Sequence, residues 1–186
     1  MTTHLILVSH GITQWNEEGR IQCHTDVPLN HNGRKMAECL AKKLSRETIH
    51  AIYTSDLKRA IQTADPTAQE KSLEIIKDIR LREGRSIYQE RSNTYPTLPF
   101  SKEFETEVDL LLRMESVISR IARSHDNQTV LIVSHAGALG LFINKILDDT
   151  KNNLSRYRGI RTALNKIDYN AGVWHCISLN EAKFLN

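Results

Sequence analysis

Val130-Leu131-Ile132-Val133-Ser134-His135-Ala136-Gly137 runs from four consecutive apolar residues into Ser-His and then two small residues. Leu5-Ile6-Leu7-Val8-Ser9-His10-Gly11 has the same order near the start of the chain. Both apolar runs are continuous rather than alternating, as in strands buried on both faces of a parallel sheet. In open sheets of that kind a ligand sits outside the carboxyl ends of the strands. If the two strands are parallel neighbours, both imidazoles emerge at that edge and face one ligand. Small residues there let the backbone approach it closely. Ala136-Gly137 also opens a helix, whose free N–H groups favour an anion.

Outward from these two runs, strands alternate with helices. Asn30 is placed to cap a helix that carries Met36, Leu40, Ala41 and Leu44 at helical spacing. Residues 49–53 read as a strand, and residues 56–64 as a helix that Pro66 is expected to disturb. Residues 73–76 are a third strand. Leu111, Met114, Ile118, Ile121 and Ala122 mark a long amphipathic helix, and residues 138–147 a further one. Residues 173–179 alternate loosely, as in a late edge strand. The pattern predicts an α/β three-layer sandwich, with a mostly parallel central sheet flanked by helices. The whole of 1–186 reads as a single domain. A small cap or loop region is expected around 84–106, where periodicity fades and prolines fall.

The composition sets the outer bounds. The chain has 186 residues, 40% of them hydrophobic, and a net charge of +3 from 25 basic and 22 acidic residues. That excludes a disordered chain. The early apolar run is too short to span a bilayer, so no membrane role is expected. Met1-Thr2-Thr3-His4 has no cationic region, so no signal peptide is expected either. Cys23, Cys39 and Cys176 show no CxxC spacing and fit reduced thiols in a cytoplasmic protein. Lys151, Arg156, Arg158, Arg161 and Lys166 form a basic run without an acid, and residues 77–91 are also rich in arginine. Each stretch reads either as a solvated face or as the rim of a site for an anionic small molecule. Nucleic acid is disfavoured, because the basic run has few aromatics and no known motif. With no HxH or HExxH spacing, no metal is expected. His4, His24, His31, His50, His125 and His175 lack a matched context and read as structural or surface residues.

Four blocks then carry a resemblance to one family. Leu7-Val8-Ser9-His10-Gly11-Ile12-Thr13-Gln14-Trp15-Asn16 resembles the LVRHGxTxxN opening of the histidine phosphatase superfamily, the phosphoglycerate mutase-like group. Gln22-Cys23-His24-Thr25-Asp26-Val27-Pro28-Leu29 is similar to its QGxxDxPL stretch. Ser55-Asp56-Leu57-Lys58-Arg59-Ala60-Ile61-Gln62-Thr63-Ala64 is similar to its SDLxRAxQTA block, and Val133-Ser134-His135-Ala136-Gly137 to its VSHGG. Glu83 sits where that family carries an acidic proton donor.

The resemblance implies roles that make chemical sense. His10 would be the nucleophile and pass through a phosphohistidine. Arg59 would hold the phosphoryl oxygens. His135 would donate to an equatorial oxygen, and Glu83 would protonate the leaving alkoxide. Asn16, Ser9, Gln22 and the Ala136 N–H would bind phosphate or substrate. The blander alternatives are a turn cap for Asn16, an Asp56 pair for Arg59, and an Arg80 or Arg85 pair for Glu83, with Glu90 a second candidate acid.

One departure stands out, because Ser9 occupies the place of the family's arginine before the nucleophile. A lost charge-assisted contact there is expected to cost about two orders of magnitude in rate. Arg82, Arg85 and Arg161 are the candidates to compensate, and Ser9→Arg is expected to raise turnover. The implied function is metal-independent hydrolysis of a small phosphorylated metabolite, by a monomer or homodimer without a cofactor and closest to α-ribazole phosphatase-like enzymes. The alternatives are a bisphosphoglycerate-dependent mutase and a weakened member that binds inorganic phosphate.

Overall fold

β1 (Thr2–Ser9) and β4 (Thr129–Ser134) pair in parallel, with Leu5 opposite Val130 and Ser9 opposite Ser134. The two Ser-His ends therefore leave the sheet side by side. The computed structural model describes residues 1–84, 105–147, 157 and 159–185. Most of the cap or loop expected at 84–106 lies outside the described residues.

The sheet has six strands in the order β3-β2-β4-β1-β5-β6. β2 (Ala51–Thr54) pairs in parallel with β4 and with β3 (Ile75–Lys77). β5 (Leu164–Asn170) joins β1 antiparallel, and β6 (Val173–Glu181) closes that edge antiparallel to β5. The expected α/β class with a mostly parallel sheet is the observed one.

Helices cover both faces. α2 (His31–Leu44) and α3 (Lys58–Lys71) lie on one side, α4 (Glu107–Arg123) and α5 (Ala136–Ile146) on the other. Alternate strand residues explain the continuous apolar runs. Leu5, Leu7, Val130 and Ile132 pack with Met114, Ile118 and Phe142. Ile6, Val8, Leu131 and Val133 pack with Leu40, Leu44, Ala60 and Ala64. A strand caged on both faces has no polar side to show. No helix among the described residues is long and apolar enough to cross a membrane.

Several elements differ from the sequence expectations. α3 continues through Pro66 to Lys71. An interior proline costs about 3 kcal/mol, but Ala60, Ala64, Thr67 and Ala68 form one buried row on both sides of it. Burying that whole row offsets the break. β5 has no counterpart in the sequence pattern, because Asn165, Lys166 and Asp168 interrupt its apolar residues. Buried Asn165 is satisfied in place: its Nδ2 donates to Leu7 O at 3.0 Å, and its Oδ1 accepts from Asn180 N at 3.0 Å. β2 and β3 each begin two residues later than expected.

Candidate active site

The chain leaving β1 is pressed against α2. A Cβ at Gly33 would lie 2.0 Å from the Ile12 carbonyl oxygen, and one at Gly11 would lie 2.8 Å from that of Gly33. Both glycines serve a close approach of one backbone to another. Gly11 N donates to Thr63 Oγ1 at 3.0 Å, which ties the same loop to α3. Asn16 closes a capping box on α1 (Gln14–Glu17), its Oδ1 accepting from Thr13 N at 3.1 Å. For Asn16 the turn cap is the observed contact.

His10 is buried, and its Nδ1 lies 2.7 Å from the Gly11 carbonyl. A carbonyl only accepts, so Nδ1 carries the proton and Nε2 the lone pair. Arg161 Nη1 donates to that Nε2 at 3.0 Å. The rings of His10 and His135 are edge to face, with centroids 5.2 Å apart. His135 is fully buried and shares a 2.8 Å hydrogen bond between Nε2 and Ser55 Oγ. Its Nδ1 has no partner among the described residues. Burial, then Arg161 and Arg59, pushes His10 well below the ordinary histidine value of 6.5. Burial, then His10 and the arginines, does the same to His135. Both rings are therefore neutral at pH 7.

Arg59 projects from the first turn of α3 and is 1% exposed. Its Nη1 donates to Thr25 O at 2.7 Å and its Nη2 to Cys23 O at 2.6 Å. Nε has no partner among the described residues. Cys23 adopts φ 39, a left-handed conformation in the position where the resembling block has glycine. Burial pushes Arg59 down to about 10, so it stays cationic at neutral pH. Asp56 is not its partner; Asp56 takes both nitrogens of the Arg82 fork at 2.6 Å. Gln22 is buried in the same loop, with its Oε1 unpartnered among the described residues.

Glu83 rests on the start of α5. Its Oε2 accepts from Gly137 N at 3.1 Å and its Oε1 from Ala138 N at 2.8 Å. A Cβ at Gly137 would lie 2.8 Å from Glu83 Oε1, so glycine makes room for the carboxylate. The Glu83 carboxyl thus occupies the helix end where the sequence places an anion. Arg80 pairs with Asp78 rather than Glu83, while Arg85 and Glu90 lie outside the described residues. The Glu83 carbonyl accepts from His24 Nε2 at 2.7 Å, and Arg113 Nη1 donates to the carbonyls of Arg80 and Arg82. Ala136 follows His135 as the first residue of α5. Ser9 is buried, and its hydroxyl donates to Ile160 O at 3.2 Å.

The candidate residues His10, His135, Arg59 and Glu83 are thus brought together, with Arg59 acting electrostatically on both rings. Arg161, His24 and Ser55 join them without having been singled out for the site as a first choice. In the sequence Arg161 is only one of three arginines that could compensate for Ser9, and His24 reads as a structural or surface residue. Among the described residues, no group of three or more His, Cys, Asp or Glu is placed to hold a metal ion.

Neutral imidazoles at adjacent strand ends, with guanidiniums beside them, are the equipment of an α/β enzyme that handles a tetrahedral oxyanion. The chain belongs to the histidine phosphatase superfamily: the family model, branch 1, matches residues 5–182. It is 36% identical over 147 residues to Phosphoserine phosphatase 1 of Hydrogenobacter thermophilus, covering 70% of each chain. Over 184 residues it is 32% identical to the probable phosphoglycerate mutase GpmB of Serratia proteamaculans, covering 90% of this chain and 86% of that one. The fold matches YhfR of Bacillus stearothermophilus with a TM-score of 0.86 and 27% identity, over 99% of this chain and 100% of that one. The protein is an enzyme of this phosphatase family.

Proposed function

We propose that the protein hydrolyses the phosphomonoester of a small metabolite without a metal, through a phosphohistidine at His10. The observation that carries this is the His10 tautomer: Nδ1 is tied to Gly11 O, so the Nε2 lone pair is directed at the guanidinium of Arg161. His10 Nε2 attacks phosphorus, and the bond from phosphorus to the ester oxygen breaks. Glu83 gives that oxygen its proton, then takes one from the water that attacks the phosphohistidine. The phosphorus–nitrogen bond breaks and inorganic phosphate leaves. Arg59 holds the oxygens that carry charge, and His135 donates to one of them through Nδ1 while Ser55 occupies its Nε2. Gln22 and the Ala136 N–H line the phosphate end, and Asn16 shapes the turn beside them. The thiols of Cys23, Cys39 and Cys176 suit a cytoplasmic protein, where cysteines stay reduced.

The test is a phosphomonoester panel that includes phosphoserine and 3-phosphoglycerate, run with EDTA. The expected result is turnover in EDTA and a phosphoenzyme that is labile to acid and stable to base. Both are lost in His10→Ala, and turnover by that variant overturns the assignment. A second reading follows from the relative named a probable mutase. There His10 would return the phosphoryl group to a second hydroxyl, and isomerisation would depend on a bisphosphorylated primer.

A further inference from the structure

Arg161 lies outside every block that carries the family resemblance, yet its Nη1 sits 3.0 Å from the reacting nitrogen of His10. The turn that carries it is held in a demanding shape. Thr162 is fully buried with φ 56, a conformation that a β-branched residue keeps only where its surroundings enforce it. Its N–H donates to Ser9 O at 3.1 Å, and Ser9 Oγ donates to Ile160 O at 3.2 Å. Gly159, at φ 60, brings the same turn against α5, where an added Cβ would lie 3.4 Å from Ala136 Cβ. Two hydrogen bonds from one residue of β1 therefore straddle Arg161. Ser9 is 1% exposed, so a longer side chain in its place would meet the 160–162 turn.

We propose that Arg161 is a catalytic residue that clamps the phosphoryl oxygens, and that Ser9 is the positioning residue that seats its turn. The proposal rests on the phosphohistidine reading above. Before substrate binds, the guanidinium donates to the His10 lone pair. A phosphoryl group offers it two oxygens in a planar fork, a better match than one ring nitrogen. The transfer of that contact frees Nε2 to attack. Arg82, fixed by Asp56, takes no part. The expectation for Ser9→Arg is therefore reversed: alone, it displaces the turn and lowers turnover.

The test compares the parent with Arg161→Ala and Arg161→Lys. Orthophosphate binding is measured by calorimetry, and kcat/KM is measured against pH. Arg161→Ala is expected to weaken phosphate binding at least ~10-fold and to lower kcat/KM about 100-fold. Arg161→Lys, which keeps the charge without the fork, falls between. Removing the cation beside His10 also moves the acid limb of kcat/KM upward, which a merely structural role would not do. If Arg161→Ala does not fold, Arg161→Gln is read by the same measurements. Phosphate binding within about threefold of the parent, or an unmoved acid limb, overturns the proposal; the factor is set by ordinary scatter in a single hydrogen bond. If His10→Ala is then still inactive, the phosphohistidine reading survives. If His10→Ala turns over, that reading fails, and phosphate binding alone still decides the role of Arg161.

Discussion

The ends of β1 and β4 share the sequence Ser-His and lie in register, yet they do different work. At β1 the imidazole proton is tied down by the Gly11 carbonyl and Nε2 faces a cation. At β4 it is Nε2 that is engaged, by Ser55, and Nδ1 is left over. The serines diverge as well. Ser9 Oγ holds Ile160, next to Arg161, whereas Ser134 Oγ holds Leu81 at 2.7 Å, two residues before Glu83. On the proposed mechanism, one strand end carries the nucleophile and seats a cation, and the other carries a donor and seats an acid. The lesson is that a side chain's chemistry is set by what its second polar atom touches.

The largest expected contrast is between the two histidines. His10→Ala should lose at least about 10⁴-fold in kcat, as the loss of a nucleophile does. His135→Ala should lose about 10²- to 10³-fold and still form a phosphoenzyme. Rapid-quench labelling of both variants checks this, and equal losses would erase the distinction between the strand ends. The serines come next. Ser9→Ala should weaken orthophosphate binding about tenfold by loosening a buried carbonyl contact. Ser134→Ala should leave that binding alone and slow alkyl phosphates about tenfold. It should spare p-nitrophenyl phosphate, whose phenolate needs no proton from Glu83. The same pattern in both variants would break the comparison.

Acid stability sharpens it further. Both folded histidines titrate well below 6.5, the unfolded value. As pH falls below 6.5 the unfolded chain binds protons that the folded chain refuses. The stability these two groups confer is therefore intact above that value and drains away on acidification. Unfolding free energies from urea titrations at pH 7.5 and 5.5 should differ by about 1 kcal/mol per histidine, and His135→Gln should remove the share of one of them. The smallest effect is a control on backbone strain. Ser72, exposed at the end of α3, has φ 54 as the helix cap. Ser72→Gly should add about 1 kcal/mol of stability and leave kinetics untouched. Thr162 has the same strain and differs in aiming a side chain.

Much of this was legible in the chain. The continuous runs at 5–8 and 130–133 announced strands caged on two faces. Their matched Ser-His ends pointed to one shared edge. Asn30 caps α2 as its sequence suggested, accepting from Gly33 N at 2.8 Å. β5 was not legible, because its polar residues are satisfied by partners elsewhere in the chain: Asn165 by Leu7 and Asn180, Lys166 by Glu47, and Asp168 by His4. The passage of α3 through Pro66 was hidden for a similar reason, since the row of alanines that holds it packs against other elements.

The sequence alone determined the α/β class, the two histidines and the arginine of the third helix, because local apolar pattern and short motifs are properties of neighbouring residues. Only the tertiary structure decided which nitrogen of each ring is free, that Glu83 sits on the amides of α5, and that Arg161 reaches His10. Apart from the Gly11 carbonyl that fixes the His10 tautomer, those are contacts across more than fifty residues of chain. Nothing in the order of amino acids reports a hydrogen bond until the sheet brings its partners together.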